Sequence, residues 1–198
     1  VSIMPCTAKK FEIDREDQDA AGDGIQDVDI VLTTREIGRL LKQCNIDFAN
    51  LPDEEFDPAM GVSTGAGAIF GATGGVMEAA LRTAADTIFG APLENIEYNE
   101  VRGTQDYKEA TYNLNGLEVK VAVVSGLENA NTLLEKVRSG EADCQFIEIM
   151  CCPGGCVNGG GQPTQPAEVR NFTDLKSLRA KALYEEDKNL PFRKSHES

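Results

Sequence analysis

The stretch that most constrains this chain is Ile147 to Pro163, IEIMCCPGGCVNGGGQP. It is entered through an apolar run, Phe146 to Met150, with the length and composition of a buried strand. Cys151, Cys152 and Cys156 follow around Pro153, Gly154 and Gly155, and then come Gly159, Gly160 and Gly161. Thiolates leaving a strand end into a glycine-rich loop suit a soft metal or an iron–sulfur cluster. Sulfur binds the iron, and small residues let backbone N–H groups approach the cluster sulfides. The alternatives are a disulfide and a loop of idle thiols; Cys-rich loops in reduced proteins are more often metal-binding or catalytic.

A second stretch answers the first. The chain opens VSIMPCTAKK, again an apolar strand pattern with Met4 and Cys6 two residues apart. Side chains two apart on a strand share a face. Met4 and Cys6 are therefore expected to point one way, as are Met150 and Cys152, so that two strand ends each offer a Met and a Cys to one cavity.

The segments MPCTAKKFE (Met4–Glu12) and MCCPGGCVNGGGQP (Met150–Pro163) resemble the second and third signature motifs of the [FeFe]-hydrogenases. STGAGAIFGATGGVMEAALRTA (Ser63–Ala84) and RAKALYEEDKNLPFRKSHE (Arg179–Glu197) are similar to the same family, so the resemblance covers nearly the whole chain. The family's first signature, of the type TSCCPGW, is not in these residues. The resemblance thus implies an internal fragment, residues 1–198, of the H-cluster domain, with residues 172–198 starting a small-subunit-like C-terminal segment. The fold it implies is α/β and two-lobed, with small sheets flanked by helices and the cluster site between the lobes.

The resemblance also implies a chemistry. Cys6, Cys152 and Cys156 would be three of the four thiolate ligands of a [4Fe–4S] cube, the fourth lying in the missing motif. Cys156 would also bridge to a two-iron subsite carrying CO, cyanide and a bridging dithiolate. Lys9 would donate a charge-assisted hydrogen bond to a cyanide. Met4 and Met150 would flank the dithiolate, with Phe70 near the cavity. On spacing alone, Lys9 reads as a surface charge paired with Glu12, and Phe70 equally well as core packing. The implied reaction is 2H⁺ + 2e⁻ ⇌ H₂, with an electron carrier such as ferredoxin, or an NAD(P)-linked route, and maturation proteins that deliver the two-iron unit. The fragment alone is expected to be inactive. A non-catalytic iron–sulfur assembly protein of the same family, or a hydrogen-sensing homologue, is the alternative; Met4, Lys9 and Met150 together favour the enzyme over the assembly protein, while pocket motifs separate the sensor poorly. A cytoplasmic site is expected, with the periplasm kept open.

Composition narrows the partners. The net charge of −14 argues against nucleic acid, which needs a basic face. No apolar run approaches the length of a membrane span. The single histidine, His196, lies in a polar tail, which leaves no His-based triad or His-rich metal site.

The pattern along the chain fills in the frame. Asp14 to Asp27 reads as an acidic surface loop, and Val28 to Leu32 as a short strand. Thr33 and Glu36 form a capping-box signature opening a helix to about Gln43, with Cys44 near its end as packing. Leu51 to Gly61 is an acidic connection, and Ser63 or Thr64 a helix cap. Ala66 to about Phe89 reads as one helix in which Gly71 and Gly75 admit a close neighbour. A dinucleotide reading of Gly65-x-Gly67 is weak, because it needs a strand immediately before it and the preceding residues are loop-like. Asn115-Gly116 between two strand patterns marks a hairpin. A helix from about Asn129 to Arg138 then leads into the central strand, placing the chemistry at a strand's C-terminal end. Phe172 to Asp187 reads as one more helix.

Overall fold

A computed structural model describes residues 1–22, 24–54, 57 and 63–197. The expected connection from Leu51 to Gly61 therefore falls partly outside the described residues. The elements in chain order are β1 (Ser2–Met4), α1 (Lys9–Glu12), β2 (Val31–Thr33), α2 (Thr34–Gln43), α3 (Gly65–Ile69), α4 (Gly75–Phe89), β3 (Tyr107–Leu114), β4 (Leu117–Ser125), α5 (Leu127–Ser139), β5 (Phe146–Met150), α6 (Ala167–Phe172) and α7 (Leu175–Asn189). They form two compact units. The smaller is Val1–Glu55 with Asn158–Thr173, and the larger is Phe56–Val157 with Asp174–Ser198.

In the smaller unit β1 and β2 pair in parallel, with Met4 opposite Thr33. The capping box is formed as expected. Thr33 Oγ1 accepts from Glu36 N, and the Glu36 carboxylate accepts from Thr33 N at 2.8 Å. The Thr33 backbone N–H, the Lys10 ammonium and the Thr33 hydroxyl together pull the Glu36 carboxyl down to about 2.

The larger unit is built on a three-stranded sheet in the order β3-β4-β5. The hairpin turns at Asn115 and Gly116, both at positive φ (54° and 85°), the primed geometry that matches strand twist. β4 and β5 are parallel and α5 crosses between them. β4 is the central strand, and its second half, Val121–Val124, is buried on both faces, which explains the apolar run there. Val121 and Val123 pack against Met77 and Leu81 of α4 with Tyr98 and Val101. Ala122 and Val124 face Ala130 and Leu133 of α5.

One long helix expected from periodicity is divided. The Ala66–Phe89 pattern breaks into α3 and α4 around Gly74, whose φ is 91°. A side chain at Gly74 would meet the Val101 carbonyl oxygen at 1.9 Å, so the break is where the backbone must approach β3's entry loop. The helix expected over Phe172–Asp187 is α7, Leu175–Asn189, which starts three residues later because Asp174 caps it by accepting from Ser177 N; the short α6 precedes it, where the pattern gives no helix. β2 is also shorter than expected and lies later, at Val31–Thr33.

α4 and α7 are joined by buried charge. Arg82 is fully buried and donates to Glu78 at 2.7 Å and to both Asp187 carboxylate oxygens at 2.7 and 2.8 Å. Its Nε and Nη1 also reach the carbonyls of Ile96 and Arg193. Arg102 forks onto Glu78, and Arg193 onto Asp187. Burial opposes ionisation of Asp187, but the two guanidiniums hold its carboxyl below the usual range. Removing one member of such a network strands the others, at about 3–5 kcal/mol. Arg82→Met in the full-length protein is therefore expected to lose stability on that order in urea denaturation. Lys181→Ala, at an exposed pair with Glu185, should change it by less than about 1 kcal/mol.

Candidate metal centre

The central motif leaves the sheet where β5 ends, at Met150. The strand β1 likewise ends at Met4. In both motifs the cysteine lies past the strand and not on it. The expectation that Met4 and Cys6, or Met150 and Cys152, share a strand face therefore does not extend to the cysteines, because turns set their directions. Cys151 is exposed, while Cys152, Cys156 and Cys6 are half-buried. The six cysteines are thiols and not disulfides.

In the larger unit, the turn Pro153–Gly155 is clamped from two sides. From the sheet, Asp106 Oδ1 accepts from Gly154 N at 3.0 Å and from Ser125 Oγ at 2.6 Å. Asp106 directly precedes β3 and Ser125 ends β4, so the antiparallel register brings them together beside the end of β5. From the other side comes the glycine turn between α3 and α4. Thr73 N donates to Gly154 O at 3.2 Å, and Val157 N donates to Gly71 O at 2.9 Å. Gly154 and Gly155 hold φ of 82° and 94°. A Cβ on Gly155 would sit 2.6 Å from Thr73 N, inside contact distance, so this position requires glycine on two counts.

Two further buried charges hold that turn. Glu148, in β5, accepts from Gly74 N at 2.6 Å and Met77 N at 2.7 Å, placing a carboxylate at the N-terminus of α4 where the orphan N–H groups need an acceptor. Lys108, in β3, donates to the carbonyls of Thr73 and Gly103, each at 3.0 Å. Sequence reasoning missed Asp106, Lys108, Ser125 and Glu148. One signal was available: an acid inside the apolar run Phe146–Met150 is a buried charge that needs a partner.

In the smaller unit the glycine tail of the central motif packs beside the opening motif. Gly161 N donates to Pro5 O at 3.2 Å, and Arg35 donates from its backbone N to Gly161 O and from Nη2 to Gly160 O. A Cβ on Gly161 would stand 2.7 Å from Thr33 Cβ and 3.0 Å from the Pro5 carbonyl carbon. Pro5 precedes Cys6, and Gly160 lies four residues after Cys156. Met4 and Lys9 are half-buried, and the Lys9 ammonium pairs with Glu12. In the larger unit Met150 is half-buried, and Phe70, just after α3, is exposed.

The donor set fits an iron–sulfur group. Among the described residues no three His, Cys, Asp or Glu side chains form a cage for a single metal ion. The donors the motifs supply are thiols on glycine loops, where a side chain at Gly155 or Gly161 would fill the space that close backbone approach needs. The Thr73 hydroxyl beside the loop is buried with no hydrogen-bond partner, an orphan polar atom of the kind a cluster sulfide could satisfy.

Comparison with known proteins now decides the family. Residues 1–160 match the profile described as iron only hydrogenase large subunit, C-terminal domain. The chain belongs to the iron-only hydrogenase family. It is 50% identical over 198 residues to iron hydrogenase 1 of Clostridium pasteurianum, covering 100% of this chain and 34% of that protein. A solved structure of the [FeFe]-hydrogenase HydA1 from Chlamydomonas reinhardtii superposes with a TM-score of 0.74 at 39% identity, over 99% of this chain and 55% of that one. This establishes the α/β iron-only hydrogenase fold. Protein NAR1 of Arabidopsis thaliana is 37% identical over 174 residues, 82% of this chain and 36% of its own length. The chain thus spans about a third of the length of these two curated relatives. Among the described residues no helix is long and apolar enough to cross a membrane.

Two outcomes test this construction. Gly155→Ala should distort the thiolate loop and cost about 1–3 kcal/mol in thermal or urea unfolding, from backbone strain and the clash with Thr73 together. Lys108 gives a pH signature. Burial, offset by Glu148 and Asp106, pushes its ammonium down from 10.5 to about 8. Between those values the unfolded chain holds more protons, so the Lys108 contribution to stability rises as pH climbs from about 8 to 10.5. In cluster-free protein, the difference in urea midpoint between wild type and Lys108→Arg should widen over that window, since arginine stays charged throughout.

Proposed function

We propose that this chain is part of the catalytic domain of an [FeFe]-hydrogenase catalysing 2H⁺ + 2e⁻ ⇌ H₂. The observation that carries the reading is the pair of motifs MPCTAKKFE and MCCPGGCVNGGGQP, complete in Met4, Cys6, Lys9, Met150, Cys152 and Cys156, in a chain half identical to an iron hydrogenase. Cys6, Cys152 and Cys156 would hold a [4Fe–4S] cube, and Cys156 would link it to a two-iron unit with CO, cyanide and dithiolate ligands. When bound, that group supplies the redox and hydrogen chemistry.

The chain's own residues would orient and enclose it. The clamp on Gly154 fixes where Cys152 and Cys156 leave the sheet edge. Lys9, here paired with Glu12, would turn its ammonium to a cyanide ligand, a charge-assisted hydrogen bond of about 1.5–3 kcal/mol. Met4, Met150 and Phe70 would line the site with soft, adaptable surface that excludes water. The fourth cube ligand and the proton relay are assigned to the remainder of the protein. Residues 172–198 are read as the start of a small-subunit-like segment. Electrons would come from a ferredoxin or an NAD(P)-linked partner in the cytoplasm, after maturation proteins deliver the two-iron unit.

The second reading is an iron–sulfur assembly protein, favoured by the 37% identity to NAR1. Infrared spectroscopy of the full-length, maturase-activated protein separates the two. CO and cyanide bands with H₂ turnover are expected; an iron-loaded protein with neither is the assembly protein. In the same protein Cys151→Ala should keep its iron and most of its activity. Cys152→Ala should compromise the cube, and Cys156→Ala should lose the link to the two-iron unit. Iron loss in Cys151→Ala with retention in Cys152→Ala would exchange their roles.

A further inference from the structure

Lys108 is a buried cation without a matching anion. It is 9% exposed, and among the described residues no carboxylate lies within salt-bridge distance of its ammonium. Its Nζ donates to two carbonyls, Thr73 O and Gly103 O, which leaves one of its three N–H donors unused. The two nearest acids are engaged elsewhere. Glu148 is spent on the N–H groups of Gly74 and Met77, and Asp106 on Gly154 N and Ser125 Oγ. A buried ammonium of this kind is costly unless some further negative charge comes near.

The position says where that charge would come from. Lys108 grips the carbonyl of Thr73, and the N–H of that same residue grips Gly154 O, in the turn between Cys152 and Cys156. The Thr73 hydroxyl, buried and unpartnered, lies in the same connection. Lysine and thiolate loop are thus separated by one residue. We infer that Lys108 supplies the buried positive charge that balances the thiolate-bound cluster and raises its reduction potential. The inference rests on the proposed cube at Cys152 and Cys156. Lys108 is a positioning residue: it acts through Thr73 and through its field, without being a ligand. A cation stabilises the more negative, reduced form of a nearby group, so removing it favours the oxidised form.

The test is a potentiometric titration of the cube followed by electron paramagnetic resonance, in full-length protein carrying only the cube. Dithionite supplies the single electron, and iron content is measured on the same samples. Lys108→Met, uncharged and of similar size, should keep its iron and titrate at a lower potential. At the wild-type midpoint its reduced-to-oxidised ratio should fall about tenfold. Lys108→Arg, which keeps the charge, should stay near wild type. If Lys108→Met loads no iron, Lys108→Gln, which retains an N–H donor for the two carbonyls, replaces it. Loading by Arg but by neither neutral variant supports the charge role. An unshifted potential in a loaded neutral variant overturns it, as does failure of all three to load. A wild-type protein with no cube signal overturns the hydrogenase reading instead.

Discussion

The cysteine loop depends on one close contact between backbones. The turn Pro153–Gly155 lies directly on the connection between α3 and α4, near enough that a methyl group at Gly155 would collide with Thr73 N at 2.6 Å. Close backbone contact hides polar groups from water, and each must then find a partner. Here the partners are reciprocal. Gly154 gives its N–H to Asp106 and its carbonyl to Thr73, while Gly71 receives from Val157. The glycines make the approach possible, and the hydrogen bonds fix it in one register.

Around that contact the sheet edge contributes charge as well as shape. Asp106 directly precedes β3, Lys108 lies in β3 and Glu148 in β5, and each bonds backbone groups of the cysteine loop or of the turn behind it. A parallel pair such as β4 and β5 gathers its functional loops at the carboxyl ends of the strands, which is where an α/β fold places its ligand. The arrangement uses that edge to hold the cysteine loop from below. Side chains supported by such a backbone network hold their directions, which is what any functional group placed on this loop requires.

A second network secures the scaffold. Arg82, Glu78, Asp187, Arg102 and Arg193 form a charged core between α4 and α7, and Lys194 adds a bond to Asp86. Buried charge contributes less to net stability than an apolar core of equal volume. It does constrain geometry, because each buried charge must meet its partner. α4 begins at the Glu148 carboxylate and carries this network through Glu78 and Arg82, so it links the C-terminal helix to the thiolate loop through one rigid element.

The sequence by itself determined the family, the two cysteine motifs and the hairpin. Motif identity is local, and Asn115-Gly116 or Thr33-x-x-Glu36 specify their turns and caps within a few residues. Periodicity also found β4, α5 and β5, whose burial repeats along the chain. It ran α3 into α4, because small and apolar residues keep helical spacing across a break that a distant partner imposes, and it passed over the short α6. It assigned Cys6 and Cys152 to strand faces, although both strands end at a methionine. Only the tertiary structure decided what clamps the loop. Asp106 stands 48 residues from Gly154, and Glu148 stands 74 from Gly74. No local pattern encodes such pairings, since a carboxylate in a strand or before it shows its partner only once the sheet has formed and the helix has packed against it.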